Sequence, residues 1–187
     1  VSNNLNKDYA ISEFTTSTRS NERNQYNLNE FNKKMSDFDL ILFFCYSIKP
    51  KEQNKIESLF KKICELDKKV ILISTLTIYS KFQSRYNRHK SRLEEIAKQS
   101  NHWIILRTGL VHGLNRSGII KLIYRFRKLN FIILPGGNAK TGVVHVKIFL
   151  DKLSKIIFED EFRKTIDIYS KVLSLSEIFR LSGFRGR

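Results

Sequence analysis

Tyr86 and Lys90 stand four residues apart in the segment Tyr86-Asn87-Arg88-His89-Lys90. On a helix that spacing puts both side chains on one face, one turn apart. A free phenol has a pKa near ~10 and is a poor acid or base at neutral pH. A neighbouring ammonium stabilises the phenolate and lowers that value. The pair is therefore suited to moving a proton. Upstream lies Ser74-Thr75-Leu76-Thr77-Ile78-Tyr79, where the Thr75 hydroxyl could hold a substrate oxygen while Tyr86 transfers the proton. Two plainer readings compete: Thr75 as a strand-end hydroxyl that caps local backbone, and Tyr86 and Lys90 as a chance pair on a surface helix.

The elements that must position these residues can be read from the apolar pattern. Leu40–Cys45, Val70–Ser74 and Trp103–Arg107 are continuous apolar runs, as expected of strands covered on both faces. Pro50 suits a helix start. Ile56, Leu59, Phe60, Ile63 and Leu66 then recur at helical spacing. A second helix is expected over Tyr86–Gln99, with Tyr86, Lys90, Leu93 and Ala97 along one face. A third is marked by Ile119, Leu122, Ile123 and Phe126, and a fourth spans Val146–Phe158. Phe131–Leu134 reads as a short strand stopped by Pro135-Gly136-Gly137, and Ile166–Tyr169 as another. Tyr9–Thr18 could form an early strand ending at Arg19, whereas residues 20–35 are polar and weakly patterned. Ser174 and Glu177 form a capping-box pattern for a last short helix.

Buried strands alternating with amphipathic helices specify an α/β fold with a mostly parallel sheet. Ligands of such sheets bind beyond the carboxyl ends of the strands. Cys45-Tyr46, Ser74-Thr75 and Arg107-Thr108 lie at those ends.

The net charge of this 187-residue chain is +16. Nucleic acid, an anionic membrane surface or a phosphorylated substrate would each answer it. A compositional bias toward Lys and Asn along the whole chain would explain it equally. The aromatic residues follow core spacing and form no base-stacking platform, so nucleic acid is not the expected partner. Arg116, Lys121, Arg125, Arg127 and Lys128 could contact a substrate diphosphate or form a solvated helix face. Cys45 and Cys64 lie in apolar patterns without metal-type spacing, which fits buried, reduced thiols and a cytoplasmic location. No apolar run approaches the ~20 residues of a membrane span, and the polar, Asn-rich start has no signal-peptide pattern. No metal site is expected; His112 and His145 read as structural.

Four segments in order resemble the extended short-chain dehydrogenases/reductases, the NAD-dependent epimerase/dehydratase family. They are Asp37–Leu42; Ser74–Tyr79 with Tyr86-x-x-x-Lys90; Arg107-Thr108-Gly109-Leu110-Val111-His112-Gly113; and Pro135-Gly136-Gly137 with Val144-His145-Val146. The resemblance covers roughly residues 37–180. It implies a Rossmann-like, doubly wound sheet: a core over residues 1–110, then 111–187 completing the sheet and forming a small substrate lobe. It implies that Tyr86 is the acid/base and that Lys90 lowers its pKa and binds the nicotinamide ribose. Thr75 would bond the substrate oxygen. Thr108 on one side, and Cys45 and Tyr46 on the other, would bring backbone to the cofactor, NAD or NADP. The implied substrate is a nucleotide-diphosphate sugar, and the implied assembly a homodimer.

The departures are equally specific. No Gly-x-x-Gly-x-x-Gly turn follows an early strand, and the first glycine is Gly109. That turn lets backbone reach the cofactor pyrophosphate. The expectation is an N-terminally incomplete fold in which Tyr9–Arg19 stands for the family's second strand. Arg19 would then face an adenosine 2′-phosphate. Lys147-Ile148 replaces the family's Asp-Asp, Thr108 replaces Pro, and the short Thr75–Tyr86 spacing implies a clipped substrate loop. The alternative function is a non-catalytic remnant of the fold, serving as an accessory subunit or basic binding module.

Overall fold

The computed structural model describes residues 13–14, 25–26, 38–45, 49–113 and 140–181. Its main sheet has four parallel strands in the order β3-β4-β5-β8: β3 (Leu40–Phe43), β4 (Lys69–Thr75), β5 (Trp103–Thr108) and β8 (Lys164–Ile168). Helices α1 (Pro50–Glu65) and α2 (Arg85–Ala97) connect β3 to β4 and β4 to β5.

Alternation along the strands divides the core in two. Ile41, Phe43, Val70, Leu72, Trp103 and Ile105 face one way, onto Ile56, Leu59, Phe60 and Ile63 of α1 and Leu93 and Ala97 of α2. The Phe43 and Phe60 rings stack there at 4.2 Å. Ile71, Ile73, Ile104, Leu106 and Ile168 face the other way, onto Phe149, Leu153 and Ile156 of helix α3 (Val146–Ile157). With both faces covered, a continuous apolar run is the only pattern such strands can carry.

A second sheet lies in the C-terminal part. Strand β6 (Leu110–His112) pairs in parallel with β7 (Lys140–His145), and β7 pairs antiparallel with β9 (Lys171–Ser174). Gly109 and Gly142 let backbones approach closely here: a Cβ on Gly109 would lie 2.6 Å from the Gly142 carbonyl carbon. Helix α4 (Leu175–Leu181) follows, and Ser174 and Glu177 close its capping box, with Ser174 N–H donating to Glu177 Oε2 at 2.7 Å and Glu177 N–H to Ser174 Oγ at 3.2 Å. Pro50 occupies the first turn of α1.

Several expectations are corrected. The first main-sheet strand ends at Phe43 and does not continue to Cys45: Phe44 is 45% exposed, and among the described residues β3 has one strand neighbour, β4. Of the expected early strand Tyr9–Thr18, Glu13–Phe14 are described and form β1, which pairs in parallel with β2 (Gln25–Tyr26), inside the stretch read as weakly patterned. Both cysteines are free thiols but half-buried. The expected helix around Ile119–Phe126, the strand Phe131–Leu134, Pro135-Gly136-Gly137, Arg19, Tyr46 and the basic residues Arg116, Lys121, Arg125, Arg127 and Lys128 lie outside the described residues. No described helix is long and apolar enough to cross a membrane.

Candidate functional site at the carboxyl ends of the strands

Helix α2 begins after Ser84, whose hydroxyl accepts the Asn87 N–H at 3.1 Å, a short polar N-cap of the favoured kind. Tyr86 therefore sits in the first turn, partly exposed, and Lys90 one turn later, 3% exposed. The Lys90 ammonium donates to the Ile73 carbonyl at 2.9 Å and lies 3.5 Å from the Cys45 carbonyl. It thus pins α2 beneath the end of β4 and the segment that follows β3. Burial pushes Lys90 down to about 8, against the opposing pull of Cys45 and Glu94.

Thr75 and Thr108 are register partners at the ends of β4 and β5. Thr75 is the N-cap of a 3-10 turn, Leu76–Tyr79, and its Oγ1 accepts the Thr77 N–H at 3.2 Å. The direction of its other bond follows from Asn87. The Asn87 amide nitrogen donates to the Thr77 and Phe82 carbonyls, at 2.9 and 3.1 Å. Its oxygen must then accept from Thr77 Oγ1, at 2.8 Å. Thr77 has no second hydrogen, so at the 3.1 Å contact between the two hydroxyls Thr75 is the donor. Thr75 has spent its hydrogen inward and retains acceptor capacity. The backbone-capping role weighed for Thr75 is present in the structure. Thr108 Oγ1 donates to the Gly109 carbonyl at 2.7 Å.

A second group at the same end was not singled out from the sequence. Glu94, 3% exposed, accepts Ser74 Oγ at 2.6 Å and the Arg107 fork at 2.7 and 3.1 Å. Arg107 also donates to the Tyr79 hydroxyl, lies 4.8 Å from the centre of that ring, and is held strongly protonated by Glu94. The Tyr79 hydroxyl reaches Asp167 of β8 at 3.2 Å. One chain of polar side chains thus crosses the ends of β4, β5 and β8. Its signal was present: positions 87, 90, 94 and 97 continue the buried stripe of α2, so Asn87 and Glu94 are polar residues in a core register.

His112 and His145, the two histidines read as structural, face each other in the second sheet. His145 caps α3, its Nδ1 accepting the Lys147 N–H at 3.2 Å. His112 is its register partner, with ring centres 5.2 Å apart. No metal-type cluster occurs among the described residues.

A dinucleotide can be tested against these residues. A partly exposed phenol, a buried ammonium one turn away and the Cys45 carbonyl beyond the end of β3 fit the nicotinamide-ribose end. The described glycines do not form a phosphate cradle: Gly109 meets the Gly142 backbone, Gly142 meets the Leu76 and Tyr169 side chains, and Gly113 meets the His145 ring.

The sequence matches no family model and no curated protein. Solved structures are similar in fold. A UDP-glucose 4-epimerase from Thermotoga maritima shares 12% identity at a TM-score of 0.71, over 98% of this chain and 78% of that one. An NAD-dependent NDP-hexosamine 5,6-dehydratase of tunicamycin biosynthesis shares 17% at 0.63, over 80% and 61%. A dTDP-glucose 4,6-dehydratase from Bacillus anthracis, solved with NAD, shares 16% at 0.65, over 85% and 63%. The chain thus spans less than two thirds of the length of the two dehydratases. The parallel sheet with helices on both faces is the Rossmann-like fold that this chain shares with those enzymes.

Proposed function

We propose that this chain carries the proton-transfer part of a nicotinamide-dependent site acting on a nucleotide-diphosphate sugar, of the epimerase or dehydratase type. The observation that carries the reading is Lys90, buried at the carboxyl ends of parallel strands, hydrogen-bonded to the Ile73 carbonyl and one turn from Tyr86. Tyr86 is the acid/base: it takes the proton of a sugar hydroxyl and later returns one. Lys90 stabilises its phenolate and offers its ammonium to the nicotinamide ribose. Thr75, with its hydrogen committed to Thr77, receives a substrate hydroxyl as an acceptor. Its hydroxyl must turn from Thr77 before it can donate to a keto oxygen. Backbone at Cys45 and Thr108 flanks the cofactor. Bound NAD or NADP would supply the hydride acceptor and donor.

The test is turnover of UDP- and dTDP-hexoses with NAD or NADP, following nicotinamide absorbance and sugar configuration. Tyr86→Phe should lower the rate by about 10²–10⁴, the usual worth of a positioned acid/base. Turnover indifferent to that change, or no binding of either dinucleotide, would overturn the reading.

A second reading, a non-catalytic accessory module, has its own support. Lys90 and Thr75 are engaged with local backbone, and the described glycines serve sheet packing. It predicts an unaltered fold and no dinucleotide binding. If its partner is nucleic acid, affinity falls steeply with salt.

A further inference from the structure

We propose that Glu94 is the positioning residue of this site: it ties α2 to the ends of β4 and β5 through Ser74 and Arg107, and its carboxylate is the counter-charge to the buried Lys90 ammonium. Tyr86, Lys90 and Glu94 are spaced at successive helical turns, so they form one stripe. Glu94 is the member that reaches into two neighbouring strands, through Ser74 Oγ at 2.6 Å and Arg107 Nη2 at 2.7 Å. Its position fixes the height of Lys90 beneath Ile73.

The groups around Lys90 leave Glu94 as its standing negative charge. From the segment after β3 comes the Cys45 thiol, which burial pushes up. Lys90 gives up its proton at about 8, before such a thiol ionises, so thiolate and ammonium do not coexist. From β4 come the Ile73 carbonyl and the Ser74 hydroxyl, both uncharged. From β5 comes Arg107, a cation whose fork lies on Glu94. On α2 itself, Tyr86 is a phenol and His89 is held neutral by burial and by the charges of Lys90 and Arg92. Across on α1, Glu57 pairs with Arg92 Nε at 3.0 Å and lies 3.6 Å from His89 Nε2.

The consequence for Tyr86 rests on the function proposed above; the relation between Glu94 and Lys90 does not. The experiment is an NMR titration of protein carrying ¹³C-lysine, from about pH 6 to about pH 11, with the Lys90 signal assigned by Lys90→Arg. No cofactor or sugar is added. In Glu94→Gln the Lys90 midpoint should fall from about 8 by about one pH unit. In Glu94→Asp it should return toward the wild-type value. Simple loosening of the fold would expose Lys90 to water and move its midpoint up, toward 10.5, so the direction separates a charge role from a packing role. A midpoint unchanged or raised in Glu94→Gln overturns the proposal. A fall in the midpoint without any turnover sinks the catalytic reading and leaves this one standing.

Discussion

Replacing Lys90 with Met tests the energetic core of the site. The folded chain releases the Lys90 proton at about 8, the unfolded chain near 10.5. Between those values the unfolded state binds the extra proton, so stability rises with pH across that window. At ~1.36 kcal/mol per unit, the gap corresponds to about 3 kcal/mol of stability missing at pH 7 and recovered by about pH 10.5. Burial leaves Lys90 3% exposed, so water screens little of this. Lys90→Met removes the titration. It also strips the Ile73 and Cys45 carbonyls of their donor, at about 1–3 kcal/mol each, a cost that does not vary with pH. Urea unfolding followed by the fluorescence of Trp103, the single tryptophan, gives both curves from about pH 7 to about pH 10.5. The Cys64 thiol, pushed up to about 12 by burial, costs the fold stability as pH rises past the ordinary thiol value of 9.0, but equally in both proteins. Cys45 does feel Lys90, so the comparison belongs in a Cys45→Ser background. The wild type should gain up to about 3 kcal/mol on the variant across the window. A constant difference would mean that Lys90 is not a buried ammonium, and the geometry proposed for Tyr86 would go with it.

Two further changes probe the frame. Asn87→Ala leaves the Thr77 carbonyl without its donor and should cost about 1–3 kcal/mol. It should also speed proteolysis between Leu76 and Ser84, which limited digestion would show; an unchanged cleavage rate would refute the staple role of Asn87. Gly109→Ala drives a Cβ into the Gly142 backbone, whereas Gly142→Ala first meets Leu76 Cδ1 at 2.7 Å. A side-chain end can turn away and a carbonyl cannot, so Gly109→Ala should lower the melting temperature more, costing about 1–3 kcal/mol or above. The reverse order would refute that packing account.

What the sequence made legible follows from what local pattern can encode. β4, β5, α1, α2 and α3 were readable because a strand covered on both faces must be apolar throughout, and a helix on a sheet must repeat its apolar face. β6, β7 and β9 were not. β6 exposes Val111 at 37% and β9 exposes Val172 at 53%, so neither needs an apolar run. Their strand character comes from pairing with residues 30 or so positions away. Such pairing is nonlocal and leaves little trace in composition.

The candidate site divides along the same line. Tyr86 and Lys90 stand out in the sequence because the chemistry proposed for them is explicit in a four-residue spacing. Asn87, Glu94 and Arg107 passed as ordinary helix and strand-end polar residues, although two of them are as buried as Leu or Ile would be there. A polar side chain in a core register can persist only if its hydrogen bonds are met inside the protein. That requirement joins the two halves of the site. Asn87 satisfies its amide on the Thr75–Thr77 turn, and thereby dictates where Thr75 sends its hydrogen. Glu94 satisfies its carboxylate on Ser74 and Arg107, and thereby sets the field at Lys90. Thr75 and Lys90 are therefore held among neighbours that the spacing motif does not contain. A chain keeping Tyr86, Thr75 and Lys90 but losing Asn87 and Glu94 would retain the motif without its geometry.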